Sequence, residues 1–133
     1  MLSHLCTLVR FDLNKFHQKA NVIFDRENLI NFKHKVVAFA LDAKGHILTS
    51  GWNSYTKSHP TQKKAAMSHS EGYKCFMHAE VRALTRLSYK QMEQVESLVV
   101  IRLDSEKSLM PGKPCKICSD VIRDYKIKNV LHS

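Results

Sequence analysis

The chain has 133 residues, 44% of them apolar and 25% charged, which suits one folded domain and leaves no room for a second. No apolar run approaches the roughly 20 residues that cross a bilayer, and no basic segment precedes the short apolar stretch 5–9, which argues against a membrane protein and a signal peptide. The sequence therefore predicts a cytoplasmic protein. Lysines and arginines outnumber acidic residues by 21 to 12, and the resulting charge of +9 favours either an anionic partner or simply a soluble surface.

The first third of the chain predicts a helix followed by a pair of strands. Apolar residues from Leu2 to Phe16 recur every three or four positions, as in a helix packed on a core. Residues 17–33 have no clear pattern. The apolar runs 36–41 and 47–53 predict two strands, and the turn residues between them make the pair a hairpin.

The rest of the chain alternates helices and strands. Residues 54–77 are predicted as a long loop, with or without a short helix, and loops of this length in a compact domain are commonly functional. Apolar spacing predicts helices over 76–87 and 115–125, while 98–103 and 129–132 predict strands. Helices alternating with buried strands indicate an α/β layered fold.

Three side chains at the starts of the last two predicted helices form a candidate zinc site. A catalytic zinc takes three protein ligands, commonly nitrogen and sulfur, and keeps a fourth position for water. His78, Cys115 and Cys118 supply those donors. The two cysteines are three positions apart and share a helix face, and a helix start stabilises their thiolates. Pro114 suits the helix start, because its missing N–H needs no partner there.

Glu80 is the candidate proton carrier of this site. It lies two positions after His78, which on a helix separates their side chains by about 200° and argues against Glu80 as a ligand. A carboxylate beside a zinc-activated water can accept its proton and pass it on to the substrate.

The two motifs together carry a family resemblance. His78-x-Glu80 followed by Pro114-Cys115-x-x-Cys118 resembles the signature of the zinc-dependent cytidine and deoxycytidylate deaminase superfamily. With histidine rather than cysteine as the first ligand, the sequence is more similar to the deoxycytidylate and tRNA-adenosine deaminase branches than to the free cytidine deaminases. The resemblance implies a hydrolytic deaminase with Zn²⁺ as cofactor. In such an enzyme a zinc-bound hydroxide attacks the amine-bearing ring carbon, and ammonia is released.

The resemblance also implies a fold. It covers residues 34–133, the catalytic core of a single domain over 1–133, with 1–33 forming the N-terminal helix and an irregular segment. The implied fold is the three-layer α/β/α arrangement of the cytidine deaminases, with a mixed sheet of about four strands in the order second, first, third, fourth. The family usually continues with a further helix and strand beyond the last one predicted here. One sheet edge is therefore expected to be open, and a homo-oligomer is predicted to cover it.

A set of expected substrate contacts comes partly from the same resemblance and partly from residues that lie near its motifs in the sequence. The segment Gly51-Trp52-Asn53 resembles one in which the asparagine contacts the sugar of the bound nucleotide. The expected substrate-binding residues are Asn53, Trp52, Tyr55, Lys57, Ala79 and Pro114. Trp52 and Tyr55 fit the core as well as they fit stacking on a base. Lys57 fits phosphate binding or plain solvent exposure.

The substrate leaves alternatives open. The first choice is a cytosine nucleotide of the deoxycytidylate type; the alternative is a base in nucleic acid, either cytosine in single-stranded DNA or adenosine in tRNA. A non-enzyme alternative adds Cys75 as a fourth ligand and gives a structural zinc site in a nucleic-acid-binding module, which leaves Glu80 without a use. A second zinc bound by the histidines and Cys75 of segment 54–77 is a further alternative.

Overall fold

The computed structural model describes residues 12–29, 32–72 and 76–133. The elements in chain order are α1 (Leu13–Arg26), β1 (Lys35–Asp42), β2 (Ile47–Trp52), α2 (Pro60–Ser68), α3 (Ala79–Thr85), α4 (Tyr89–Gln94), β3 (Val95–Leu103), β4 (Leu109–Met110), α5 (Lys116–Asp124) and β5 (Asn129–His132). None of the described helices is both long enough and apolar enough to span a membrane.

Helix α1 begins at a capping residue. The Asp12 carboxylate accepts a hydrogen bond from the backbone N–H of Lys15 at 3.1 Å, which satisfies a donor that the helix leaves unpaired. The helix predicted over 2–16 lies mostly outside the described residues. The described helix instead continues to Arg26, through a segment to which the sequence pattern gave no assignment. Its buried side chains are Phe16, Ala20, Ile23 and Phe24.

The strands form one mixed sheet with β1 and β3 at its centre. β1 pairs antiparallel with β2 and with β3, and β5 pairs parallel with β3. The predicted order is confirmed, since β5 is the strand predicted over 129–132. The predicted number of strands is one too low, because β4, two residues long, pairs with the end of β3 at Arg102 and Leu103. So short a strand leaves no alternating pattern to detect.

Helices cover both faces of the sheet, which confirms the predicted three-layer α/β/α fold. Side chains alternate between the two faces along each strand. Val37 and Ile101 pack against α1 on one face. Ala38 and Val100 pack on the other face, against α3 and α5. Among the described strands, none pairs with the outer edge of β5. Oligomerisation through that edge stays a prediction.

Helix α3 lies unusually close to β2, and a glycine allows it. A Cβ atom added at Gly51 would lie 2.5 Å from the backbone nitrogen of Ala83 and 2.7 Å from the carbonyl oxygen of Ala79. Thr49 adds a hydrogen bond from its hydroxyl to the Ala83 carbonyl at 2.7 Å. These contacts fix the position of α3, and with it the residues at the start of that helix.

Two predicted helix boundaries change in the structure. The helix predicted over 76–87 spans only Ala79–Thr85, because His78 has an extended backbone and occupies the N-cap position. Ser88 then caps α4, which the sequence did not predict. The helix predicted over 115–125 is confirmed as α5, with Cys115 at its N-cap.

Candidate active site

The three predicted zinc ligands meet between two helix starts. His78 precedes α3, Cys115 precedes α5 and Cys118 lies in the first turn of α5. The Nδ1 atom of His78 lies 3.2 Å from the sulfur of Cys118 and 3.6 Å from the sulfur of Cys115. All three potential ligand atoms lie within 4.8 Å of one another, although His78 and Cys115 are 37 positions apart in the chain.

These separations fit a tetrahedral zinc ion. Bond lengths of about 2.0–2.1 Å to nitrogen and 2.3 Å to sulfur place tetrahedral N and S ligands about 3.6 Å apart. The distance from His78 to Cys115 equals that value, and the distance to Cys118 is 0.4 Å shorter. Three protein ligands leave the fourth tetrahedral position to water, which is the arrangement of catalytic rather than structural zinc.

The two thiols share a proton in a way that suits metal binding. The pKa of Cys115 is lowered to about 3, mainly because Cys118 donates a hydrogen bond to its sulfur, with a further contribution from His78. The pKa of Cys118 is raised, because it donates that hydrogen bond and is buried. Zinc requires both sulfurs as thiolates, so binding releases the shared proton.

Glu80 lies against the zinc ligands. Its carboxyl group hydrogen-bonds to Cys118, and the residue is only 6% exposed. The predicted 200° separation from His78 does not apply, since His78 lies before the helix with an extended backbone. Burial raises the pKa of Glu80 above the usual value of a glutamate, which favours its protonated form.

Gln62, which the sequence analysis did not single out, supports the histidine ligand. This fully buried residue of α2 accepts a hydrogen bond on Oε1 from the backbone N–H of His78 at 3.1 Å. The contact holds the extended segment that presents the imidazole. A polar residue in a predicted loop, 16 positions from its partner, gives no sequence signal of this role.

Helix α2 is also joined to α5. His69, which follows α2, hydrogen-bonds to Asp120 of α5. Glu71 forms an ion pair with Lys116 in the first turn of α5 at 3.4 Å. The segment 54–77, predicted as a long loop with or without a short helix, therefore contains a helix, and it contacts both zinc-binding elements.

A cavity of about 550 Å³ opens above the zinc ligands and Glu80. Three of the predicted substrate-binding residues line it: Asn53, Tyr55 and Ala79. The wall also includes His34 and two cations, Arg102 and Lys113, none of which the sequence analysis selected.

Asn53 lies in the cavity wall with its amide engaged by the chain itself. Its Oδ1 accepts a hydrogen bond from the backbone N–H of Val36 at 3.1 Å, and its Nδ2 donates to the carbonyl of His34 at 2.8 Å. The side chain thus ties the end of β2 to the start of β1. Tyr55 adds a further link to the same segment, since its hydroxyl accepts a hydrogen bond from the backbone N–H of His34 at 2.8 Å. A sugar contact by Asn53 stays a prediction.

The other three predicted contacts lie outside this lining. Trp52 alternates with Asn53 along the chain, so its ring faces away, and the guanidinium carbons of Arg82 and Arg86 lie 4.5 and 5.5 Å from its ring centre. Lys57 is exposed, and its carbonyl accepts the backbone N–H of Met77. Pro114 faces a neighbouring groove. A substrate contact by these three residues stays a prediction.

The alternative zinc sites gain no ligands in the described part of the chain. Across residues 12–29, 32–72 and 76–133, His78, Cys115 and Cys118 form the one group of three potential metal ligands. His59 instead caps α2 by accepting the backbone N–H of Thr61 on Nδ1. Cys75, on which both alternatives depend, lies outside the described residues.

Comparison with known families agrees with this geometry. The family model for the cytidine and deoxycytidylate deaminase zinc-binding region matches residues 12–133. No individual curated protein matches the sequence significantly. The match spans most of the chain and includes the His, Cys and Cys donors that meet here, which identify the cofactor as zinc. The protein therefore belongs to the cytidine and deoxycytidylate deaminase family of zinc-dependent enzymes.

Proposed function

We propose that this protein hydrolytically deaminates a cytosine nucleotide of the deoxycytidylate type. The observation that carries the proposal is the position of Glu80, a buried carboxyl group beside three zinc ligands at the cavity. A structural zinc site has no need for such a group. A cavity of about 550 Å³ also falls within the roughly 300–1,000 Å³ typical of sites for small molecules.

The reaction adds water to C4 of the ring and expels ammonia, so one C–O bond forms and one C–N bond breaks. His78, Cys115 and Cys118 would hold the zinc ion, which would supply the Lewis acidity that makes a water molecule nucleophilic near neutral pH. Glu80 accepts a proton from that water and delivers it to the ring nitrogen. It then takes the remaining proton of that water from the oxygen now bonded to C4 and transfers it to the departing amine, so that ammonia leaves and C4 keeps a carbonyl oxygen. Its raised pKa suits a group that has to donate protons as well as accept them.

A base within nucleic acid is a second candidate substrate, favoured by one observation. Lys113 lines both the cavity and a neighbouring groove of about 650 Å³, whose other cations include Arg123, Lys126 and Lys128. Acidic neighbours offset part of this charge, since Arg123 pairs with an aspartate and Lys128 with a glutamate. The groove therefore offers weaker attraction for a polyanion than its lysine and arginine content suggests, which supports the nucleotide as first choice.

A substrate panel tests the proposal. Zinc-loaded protein is assayed for ammonia release on deoxycytidylate, deoxycytidine, cytosine-containing single-stranded DNA and adenosine-containing tRNA. We expect the highest kcat/KM on deoxycytidylate. Activity on the oligonucleotides alone would replace the proposed substrate with nucleic acid.

Two variants separate the proposed catalytic and metal-binding roles. Glu80→Gln should keep its zinc and lose about 10²–10⁴ in kcat, the range for general acid–base groups. Cys118→Ser should lose most of its zinc, measured by elemental analysis. Full zinc in Cys118→Ser would contradict the ligand assignment, and unchanged kcat in Glu80→Gln would contradict the mechanism.

A further inference from the structure

We propose that Arg102, together with Lys113, forms the subsite that recognises the phosphate of the nucleotide substrate. This inference rests on the proposed function and adds the residues that distinguish a nucleotide from an unphosphorylated nucleoside. It assigns phosphate recognition to β3 and the loop before α5, whereas the sequence had pointed to Lys57.

Strand geometry places Arg102 on the zinc side of the sheet. Leu98 and Val100 of β3 pack against α3 and α5, and side chains two positions apart share a face. Arg102 is next in that series. It lies beyond the apolar core at the end of β3, where the cavity opens, and it lines the cavity wall.

The guanidinium group of Arg102 is oriented but not neutralised. One of its terminal nitrogens lies 3.3 Å from Nδ1 of His34. Burial and the nearby Arg102 lower the pKa of His34, so its ring is neutral near pH 7 and accepts this hydrogen bond. Within the described residues, no ion pair involves Arg102 or Lys113. Arginine carries five N–H donors, so several are left for an anion, and its planar fork matches phosphate oxygens.

One serine joins the strand of Arg102 to the loop of Lys113. The Ser133 hydroxyl accepts a hydrogen bond from the backbone N–H of Arg102 at 3.0 Å, and the Ser133 carbonyl accepts one from the backbone N–H of Gly112 at 2.8 Å. A Cβ atom at Gly112 would lie 2.9 Å from the Ser133 hydroxyl and 3.1 Å from the Val100 carbonyl, so the loop lies directly on the strand. This packing holds the two cations on one wall of the cavity.

Other arginines of the described chain are already engaged elsewhere. Arg26 and Arg123 pair with carboxylates. Arg82 and Arg86 lie over the Trp52 ring and donate to backbone carbonyls, away from the cavity. Arg102 combines an unpaired charge with a place in the cavity wall, which is what recognition of a substrate phosphate requires.

The test compares deoxycytidylate with deoxycytidine in three variants. Arg102→Gln should lower kcat/KM on deoxycytidylate by about 10- to 100-fold, which is the loss expected for charge-assisted hydrogen bonds. The kcat/KM on deoxycytidine should change by less than about threefold, because this substrate has no phosphate. Arg102→Lys should recover part of the loss, because it keeps the charge without the fork. Arg86→Gln is the matched control and should leave both substrates within about twofold.

Binding of inorganic phosphate gives a readout that does not depend on turnover. In calorimetric titrations, zinc-loaded wild type should bind phosphate and Arg102→Gln should bind it at least about tenfold more weakly. Equal losses on deoxycytidylate and deoxycytidine, or unchanged phosphate binding in Arg102→Gln, would overturn the inference. Absence of deamination on every substrate would instead overturn the proposed function, and the titration would still decide the phosphate subsite.

Discussion

Replacing Gln62 with leucine tests how far helix α2 controls the metal site. Leucine has nearly the volume of glutamine, so the change removes the acceptor for the His78 backbone N–H without opening a large cavity. The N–H would then lie between α2 and α3 without its present partner. In the zinc-loaded protein the imidazole holds the segment in place. In the zinc-free protein the segment can move, and the N–H can bind water instead. The lost hydrogen bond therefore costs free energy mainly in the zinc-loaded form, which weakens zinc binding.

The size of the effect follows from the contact that is lost. A buried donor left without its acceptor costs about 1–3 kcal/mol. At about 1.4 kcal/mol per tenfold change, zinc affinity should fall by about 5- to 100-fold. Loss of residues that orient metal ligands typically lowers affinity by a similar 10–100-fold.

Competition with a chromophoric chelator measures the zinc dissociation constants. Lys64→Ala is the control, because Lys64 lies exposed on the same helix and its loss should leave the constant within about twofold of wild type. Circular dichroism shows whether each variant is folded. A folded Gln62→Leu variant with the zinc affinity of wild type would refute the reasoning.

Two further predictions concern the scaffold. Gly51→Ala should destabilise the protein by about 1–3 kcal/mol or more, because the new methyl group would meet the backbone of Ala83. Thermal melting measures the loss of stability, with Thr56→Ala as a control at an exposed position. The protein should also form a dimer or larger assembly that covers the outer edge of β5, and a monomer by light scattering at high concentration would contradict this.

The zinc ligands could be predicted because their signals are local. Each signal lies within a few positions of Cys115 and Cys118: the residue type, the Cys-x-x-Cys spacing and the start of a helix. The buried strands β1 and β3 were equally visible, since continuous apolar runs have few alternatives. Alternation of these strands with helices indicated an α/β layered fold, while the three layers and the strand order were implied by the family resemblance.

The missed features depend on contacts between distant parts of the chain. Gln62 and Arg102 are ordinary polar residues until the fold brings them to His78 and to the cavity. The contact of Trp52 with two arginines was missed for the same reason, since Arg82 lies 30 positions further along the chain. The end of α1 was missed for a local reason, because Ala20 marks the buried face only weakly among the polar residues that surround it.

The links from α2 and the turn after it to α5 have a consequence for protein engineering. Surface segments that connect core elements commonly vary in sequence and length between homologues. Here the segment 54–77 shares polar contacts with α5 through His69 and Asp120 and through Glu71 and Lys116. A chimaera that replaces only residues 54–77 would leave Asp120 and Lys116 facing foreign side chains beside Cys118. Successful grafting of this segment therefore requires the matching residues of α5 to be transferred with it.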